Sequence, residues 1–364
     1  MGKKRTIKRN IGLLPRWKWV GNVLYYEVPK GQESFWDNKR TFRLGSTLTE
    51  AYTEWASRMS GTEVKTDFST VERLLDAYVM KAVPSLSVTH RTNTLRAIVN
   101  LKKSFGHLKP TAIQPVLINQ YLTARSVKKK NSEGKMVGGH VVANREIEIF
   151  QVAIAWAIGQ GAFHRHPFRG EFKFKSEKPR DRYIEDWEID EMMKVDSHRQ
   201  KGSFHAIKAY IKIKMLTGMA IGDLLRLTMT DVNKAKDGIF IQRHKTGHKT
   251  MYLWSPELLA AVDEAIAARP CLSPFLFCTA RGKGFFNEAT GRCPGWKSMW
   301  QRFVEKVMAE TKITEKFTDH DIRAKVGSDK ESDEEARKTL SHSTSATTKR
   351  HYRRKAEVVH TGTH

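Results

Sequence analysis

One phenol, two imidazoles, a guanidinium and an amine stand in a suggestive order in the last third of the 364-residue chain. Lys245 lies between two strand-like runs, His320 and Arg323 form HDIR, His342 falls in LSHSTSATT, and Tyr352 follows. His320 and Arg323 are three positions apart, so on a helix they share one face. These are the groups needed to cut a DNA strand without metal or nucleotide. A tyrosine oxygen attacks phosphorus and keeps the energy of the broken linkage in a phosphotyrosine, ready for resealing. Guanidinium and imidazole hold the non-bridging oxygens as charge develops. A lysine or histidine protonates the departing 5′-oxygen. A lone His or Arg on a basic chain is more often a surface or capping residue. The ordered set, ending in a tyrosine, is what rises above that background.

The charge agrees with a polyanionic partner. With 64 Lys and Arg against 39 Asp and Glu the formal net charge is +25, well beyond what solubility requires. A positive field of this size attracts nucleic acid and raises encounter rates with it. No uninterrupted apolar run approaches the roughly 20 residues of a membrane span, so no membrane association is expected. The N-terminus, MGKKRTIKRN, is basic but is not followed by an apolar segment, which argues against a secretory signal. Cys271, Cys278 and Cys293 have neither disulfide-framework nor zinc-ligand spacing and read as reduced thiols of a cytosolic protein.

Three units must position these groups, and together they read as a mainly α fold with small β elements (α+β). Residues 1–16 form a basic arm through Lys3, Lys4, Arg5, Lys8 and Arg9. WKWVGNVLYYEVP (17–29) and KRTFRLG (39–45) look like strands, and Thr47 with Glu50 fits a capping box opening a helix to about Met59. That makes residues 1–62 a small sheet-plus-helix module. Residues 66–172 are mostly helical, with Val71, Leu74, Leu75, Tyr78 and Val79 at helical spacing, as are Ile147, Phe150, Ile154, Ala157 and Ile158. Nearly all of these apolar stripes are core. KKKNSEGKMVGG (128–139) reads as a loop, and KFKSEKPRDR (173–182) as a linker. The third unit, 183–364, is mixed: a helix before TGMAIGDLLRL (217–227), a hairpin of GIFIQ (238–242) and TMYLW (250–254) around HKTGHK, then helices from PELLAAVDEAI onward.

TGMAIGDLLRLTMTDV (217–232), KTG (245–247), TDHDIRAKVG (318–327) and LSHSTSATTKRHY (340–352) resemble the signature boxes of tyrosine recombinases and phage integrases, in family order and at family spacing. The resemblance implies a site-specific DNA recombinase working through a 3′-phosphotyrosine. In it Tyr352 is the nucleophile, Lys245 the general acid on a mobile hairpin, and His320, Arg323 and His342 the phosphate-contacting set, with Asp223 as a buttress. It implies a helical core-binding (SAM-like) domain over 66–172 that clamps duplex DNA with the catalytic domain. For 1–62 it implies an arm-binding domain of the lambda type. DNA contacts are expected from Lys3, Lys4, Arg5, Lys8 and Arg9, and from Arg91, Asn144 and Arg145. Core-type and arm-type attachment sites, a homotetramer on DNA, DNA-bending and directionality factors, no cofactor and a place at the nucleoid of a bacterial cytoplasm complete the expectation.

One catalytic position departs from the family. The first box there reads threonine, glycine, any residue, arginine, and here Ala220 takes the arginine position. The rest of the set is intact, which fits an introduced substitution better than slow decay, and an enzyme impaired in cleavage. Ser341 replaces the usual glycine before the histidine, and SDKESDEEARK (328–338) is more charged than in relatives. Two other readings compete: a non-catalytic, sequence-specific DNA-binding protein on the same fold, and a type IB topoisomerase or telomere resolvase with the same chemistry.

Overall fold

The computed structural model describes residues 10, 13, 14, 16–59, 67–130, 134, 136–196, 202–243 and 247–355. Its contacts divide the chain into two units, 1–178 and 179–364, with the boundary inside the polar stretch 173–182.

The first unit opens on an antiparallel three-stranded sheet, β1 (Trp17–Val20), β2 (Val23–Glu27) and β3 (Thr41–Gly45), in that order. The run 17–29, expected as one strand, is a hairpin. Gly21 at φ 56° with Asn22 turns the chain between β1 and β2, a Gly-Asn turn signal hidden among aromatic residues. Alternation then sorts the faces. Trp17, Leu24, Tyr26, Phe42 and Leu44 are buried, while Lys18, Tyr25 and Arg43 pair across the strands on the opposite face.

Helix α1 (Leu48–Met59) follows. Its Thr47 Oγ1 accepts from the Glu50 amide, as a capping box requires. The Glu50 carboxylate, however, reaches back to the amide of Ser46 rather than Thr47. Then come α2 (Val71–Lys81), α3 (Val88–Phe105), α4 (Pro115–Ser126), the short pair β4 (Lys129–Lys130) and β5 (Met136–Val137), and α5 (His140–Gly159). The stretch read as a loop, 128–139, thus carries two short paired strands. The apolar stripes of α2 and α5 are buried together with the sheet and α1 in one core, in which Trp17, Trp36 and Phe150 are among the largest side chains.

The second unit contains α6 (Asp186–Lys194), α7 (Ser203–Thr217), the one-turn α8 (Ile221–Leu224), the hairpin β6 (Gly238–Gln242) and β7 (Lys249–Leu253), and α9 (Pro256–Ala267). It ends on α10 (Pro294–Glu310), α11 (Asp319–Ser328), α12 (Asp333–Thr339) and α13 (Ser345–Tyr352). Helix α7 buries Ile207, Ala209, Tyr210, Ile211 and Ile213 and serves as the spine against which α9, α10 and α11 pack. Tyr210, Trp296, Phe277 and Phe303 are buried along it. Among the described residues no helix is long and apolar enough to cross a membrane.

Candidate active site

Three separate stretches of the second unit meet around one phenol. Tyr352 is the last residue of α13, and its hydroxyl lies 3.1 Å from His320 Nε2 on α11. The rings of His320 and His342 stand 4.9 and 4.7 Å from the tyrosine ring, centroid to centroid. The guanidinium carbon of Arg323 is 5.5 Å from that ring. His320, Arg323, His342 and Tyr352, separated in sequence, are neighbours in space.

Helix α11 holds its two members by the residues that flank them. Asp319 accepts from the buried Lys214 ammonium at 2.7 Å. Asp321, also buried, accepts from Arg180 at 2.7 Å and from Arg354 at 2.6 Å, and caps the helix through the Thr318 amide. Burial alone would push the Asp321 carboxyl up, but the bonds from Arg180, Arg354 and Thr318 outweigh it and hold the carboxyl below the usual range. His320 sits between these two anchored carboxylates.

Arginine donors fix the tautomer of both histidines, because a guanidinium can only donate. Arg354 Nη2 lies 3.1 Å from His320 Nδ1, which must therefore accept, so the proton is on Nε2 and points at the Tyr352 oxygen. Arg323 Nη2 lies 3.1 Å from His342 Nε2, so His342 carries its proton on Nδ1 and donates it to Thr348 Oγ1 at 2.9 Å. Burial, then Arg323, pull the His342 pKa down to about 3. Burial, then Arg354, lower that of His320.

Arg323 is itself buried and donates to the carbonyls of Gly218 and of Leu340, the latter at 2.6 Å. Gly218 needs its missing side chain: it has φ 63°, and a Cβ there would meet Leu340 at 2.8 Å. Ser341 has φ 54°, a conformation that favours glycine. The serine is held by Thr250 Oγ1, which donates to its Oγ at 2.7 Å.

Ala220 is half-buried at the N-cap of α8, and its carbonyl accepts from the Asp223 amide at 3.0 Å. Asp223 accepts from Arg243 Nε at 3.3 Å. Lys245 lies outside the described residues, as do Lys3, Lys4, Arg5, Lys8 and Arg9. In the first unit, Arg91 donates to the carbonyls of Pro84 and Leu86 and to Thr53. Asn144 is buried, and its amide bonds Lys175 and Glu177. Arg145 is exposed and pairs with Glu148 and Glu177. Sequence reasoning missed Arg354, Thr348, Arg180 and Arg243. Each acts through a partner distant in the chain or on a neighbouring turn, and none has a periodicity or motif of its own. Among the described residues no cluster of His, Cys, Asp and Glu could hold a metal ion.

The family model described as "Phage integrase family" matches residues 182–358, nearly the whole second unit. A lambda integrase dimer bound to a COC′ core site superposes with TM-score 0.62 at 16% identity, covering 99% of each chain. A lambda integrase tetramer bound to a Holliday junction gives 0.61 at 17%, covering 98% of this chain and 99% of the other. The Tn1549 transposon integrase in complex with circular intermediate DNA gives 0.58 at 15%, covering 80% and 96%. At such identities the likeness is one of fold. No curated protein sequence matches. The architecture and the matched segment define the class: the protein is a tyrosine recombinase, a site-specific DNA strand transferase. Residues 182–358 are its phage integrase domain.

Proposed function

We propose that this recombinase cuts and rejoins attachment-site DNA at the cluster around Tyr352. The observation that carries the assignment is the 3.1 Å contact of His320 Nε2 with the Tyr352 oxygen, beside Arg323 and His342. In the reaction the Tyr352 hydroxyl gives up its proton to solvent, its oxygen bonds to the scissile phosphorus, and the bond to the 5′-oxygen breaks. The phosphate remains on the 3′ side as a phosphotyrosine, and the freed 5′-oxygen takes a proton. Lys245 is the donor in this reading. Attack by a 5′-hydroxyl from a partner strand reverses the step and completes the exchange. The DNA-bound dimer and tetramer among the structural neighbours support core-type sites and a homotetramer on DNA as the working assembly. The sheet of the first unit would take arm-type sites, with bending and directionality factors assisting at the nucleoid of a bacterial host.

Ala220 bears on the rate. An arginine there would stabilise the non-bridging oxygens more in the phosphorane than in the ground state. Losing one such donor costs about 10² to 10³ in rate, and many other phosphate contacts sustain binding. From this position alone we infer a chain that binds and assembles normally but cleaves slowly. The assignment is tested on a nicked duplex recovered by this protein from a random-sequence pool, where the cut end diffuses away and the adduct accumulates. Tyr352→Phe is expected to abolish the adduct with affinity within about twofold of the parent, since one hydroxyl adds little to a phosphate-dominated interface. An adduct that persists in that variant removes Tyr352 from its role. A parent with tight site binding and no adduct would instead favour the non-catalytic DNA-binding reading.

A further inference from the structure

The loop from Gly218 to Asp223 has a guanidinium at each end and a methyl group between them. Arg323 donates to the Gly218 carbonyl at one end. At the other, Arg243 donates through Nε to the Asp223 carboxylate at 3.3 Å, one helical turn from Ala220. The two guanidinium groups are neighbours in a second way. Arg323 donates to the carbonyl of Leu340 at 2.6 Å and Arg243 to that of Ser341 at 2.9 Å, adjacent residues leading directly to His342. Arg243 follows the last residue of β6, and its side chain is only 11% exposed, beside Asp223 at 12%.

The charge balance of this corner is unusual. Arg243 pairs with Asp223, Arg323 donates to carbonyls and His342 but has no carboxylate partner among the described residues, and His342 is held neutral. The Arg243–Asp223 pair at 3.3 Å is longer than the usual 2.7–2.9 Å of a charge-assisted bond. Burial first lowers the pKa of both Arg323 and His342, and Arg243 adds to that pull, so its field reaches across the site. A buried excess cation is costly unless something anionic compensates it. The protein's own groups compensate half of the pair, leaving one positive charge beside the nucleophile. A phosphodiester carries one negative charge there, and a phosphorane carries more.

We propose that Arg243 supplies the second guanidinium to the non-bridging oxygens of the scissile phosphate, taking from strand β6 the place that Ala220 leaves empty. The inference rests on the recombinase reading and changes its consequence: the arginine is relocated, and the cleavage penalty expected from Ala220 is largely offset. The small residue at 220 is then part of the arrangement. An arginine there would extend from the same turn as Asp223 and compete with Arg243 for that carboxylate.

The test uses the same pool-derived duplex in two forms, one with the normal scissile phosphate and one with a single methylphosphonate there. The methylphosphonate is neutral, so it no longer calls for a cation. Arg243→Ala is expected to slow adduct formation at least about 100-fold on the phosphate, with site affinity within about tenfold. On the methylphosphonate the same variant is expected within about fivefold of the parent. Adding Ala220→Arg to Arg243→Ala is expected to recover at least about tenfold of the lost rate, because the charge returns from the other side of the loop. A rate within about fivefold of the parent on phosphate, or equal losses on both substrates, would mean that Arg243 only ties β6 to the 340–342 turn. Should Arg243→Ala melt below the assay temperature, Arg243→Lys carries the test. It keeps the charge and loses the planar fork, so about tenfold slowing confined to the phosphate is expected, and equal slowing on both overturns the proposal. A parent that forms no adduct with either duplex overturns the recombinase reading and this one with it.

Discussion

Burial and two arginines together keep two histidines from taking up a second proton, and this has a consequence for acid stability. Burial disfavours a second proton on His342, and Arg323, which occupies its Nε2 lone pair, repels one further, so the pKa falls to about 3. In the unfolded chain the same imidazole titrates near about 6.5. The sign follows from proton uptake. Above that pH neither state is protonated and His342 contributes nothing to the pH dependence. Between about 6.5 and about 3 the unfolded chain binds a proton that the folded chain refuses, so stability falls as the pH falls. His342→Asn removes that uptake while keeping a polar side chain. Its melting temperature is expected to drop less than the parent's between pH 7 and pH ~4.5. Equal drops would show that the folded imidazole accepts a proton after all, and that the arginine does not control it.

At the scale of elements, the site depends on how closely α11 and α13 approach. Gly327 sits on α11, where a Cβ would meet Leu340 at 2.8 Å and the Tyr352 Cβ at 3.2 Å. The Leu340 tip can move; the tyrosine Cβ moves only with α13. Gly327→Ala is therefore expected to cost about 1–3 kcal/mol by overpacking and to slow adduct formation about tenfold or more through misplacement of the nucleophile, with site binding little changed. Adduct formation at the parental rate would mean that α13 tolerates a wider seat. Much of this arrangement was legible in the chain. Regular apolar spacing marked α2 and α5, the strand-like runs marked the β6–β7 hairpin, and the boxes marked four residues that do come together. The hairpin inside 17–29 was obscured because strand-forming residues lie on both sides of a two-residue turn. The supports were obscured for another reason. Arg180 reaches Asp321, Arg243 reaches Ser341 and Lys214 reaches Asp319, and no local pattern encodes pairs so far apart.

At the scale of the whole molecule, the net charge of +25 has to be apportioned among surfaces before it becomes function. One surface is well defined in the first unit. On the open face of the sheet, register places Lys18 opposite Tyr25 and Tyr25 opposite Arg43, so a cation, an aromatic ring and a second cation form a row across three strands. The opposite face is filled by Trp17, Leu24, Tyr26, Phe42 and Leu44, so the row can change without disturbing the core. A two-stranded ribbon or small sheet fits the major groove of DNA, with basic side chains reaching phosphates on either side. If the first unit holds one duplex while the catalytic cluster works on another, bridging draws on effective concentration and is lost when either contact fails. Lys18→Glu with Arg43→Glu reverses both ends of the row. With a pool-derived core duplex immobilised and a second labelled duplex free, the parent is expected to capture the second duplex and the double variant to lose that capture. Adduct formation on the core duplex is expected to continue. Two phosphate contacts removed lower the slope of log affinity against log salt for the second duplex by about 1.8, at roughly 0.9 each. Undiminished capture with an unchanged slope would place the second contact elsewhere, on the basic residues before the sheet or on the helical part of the first unit.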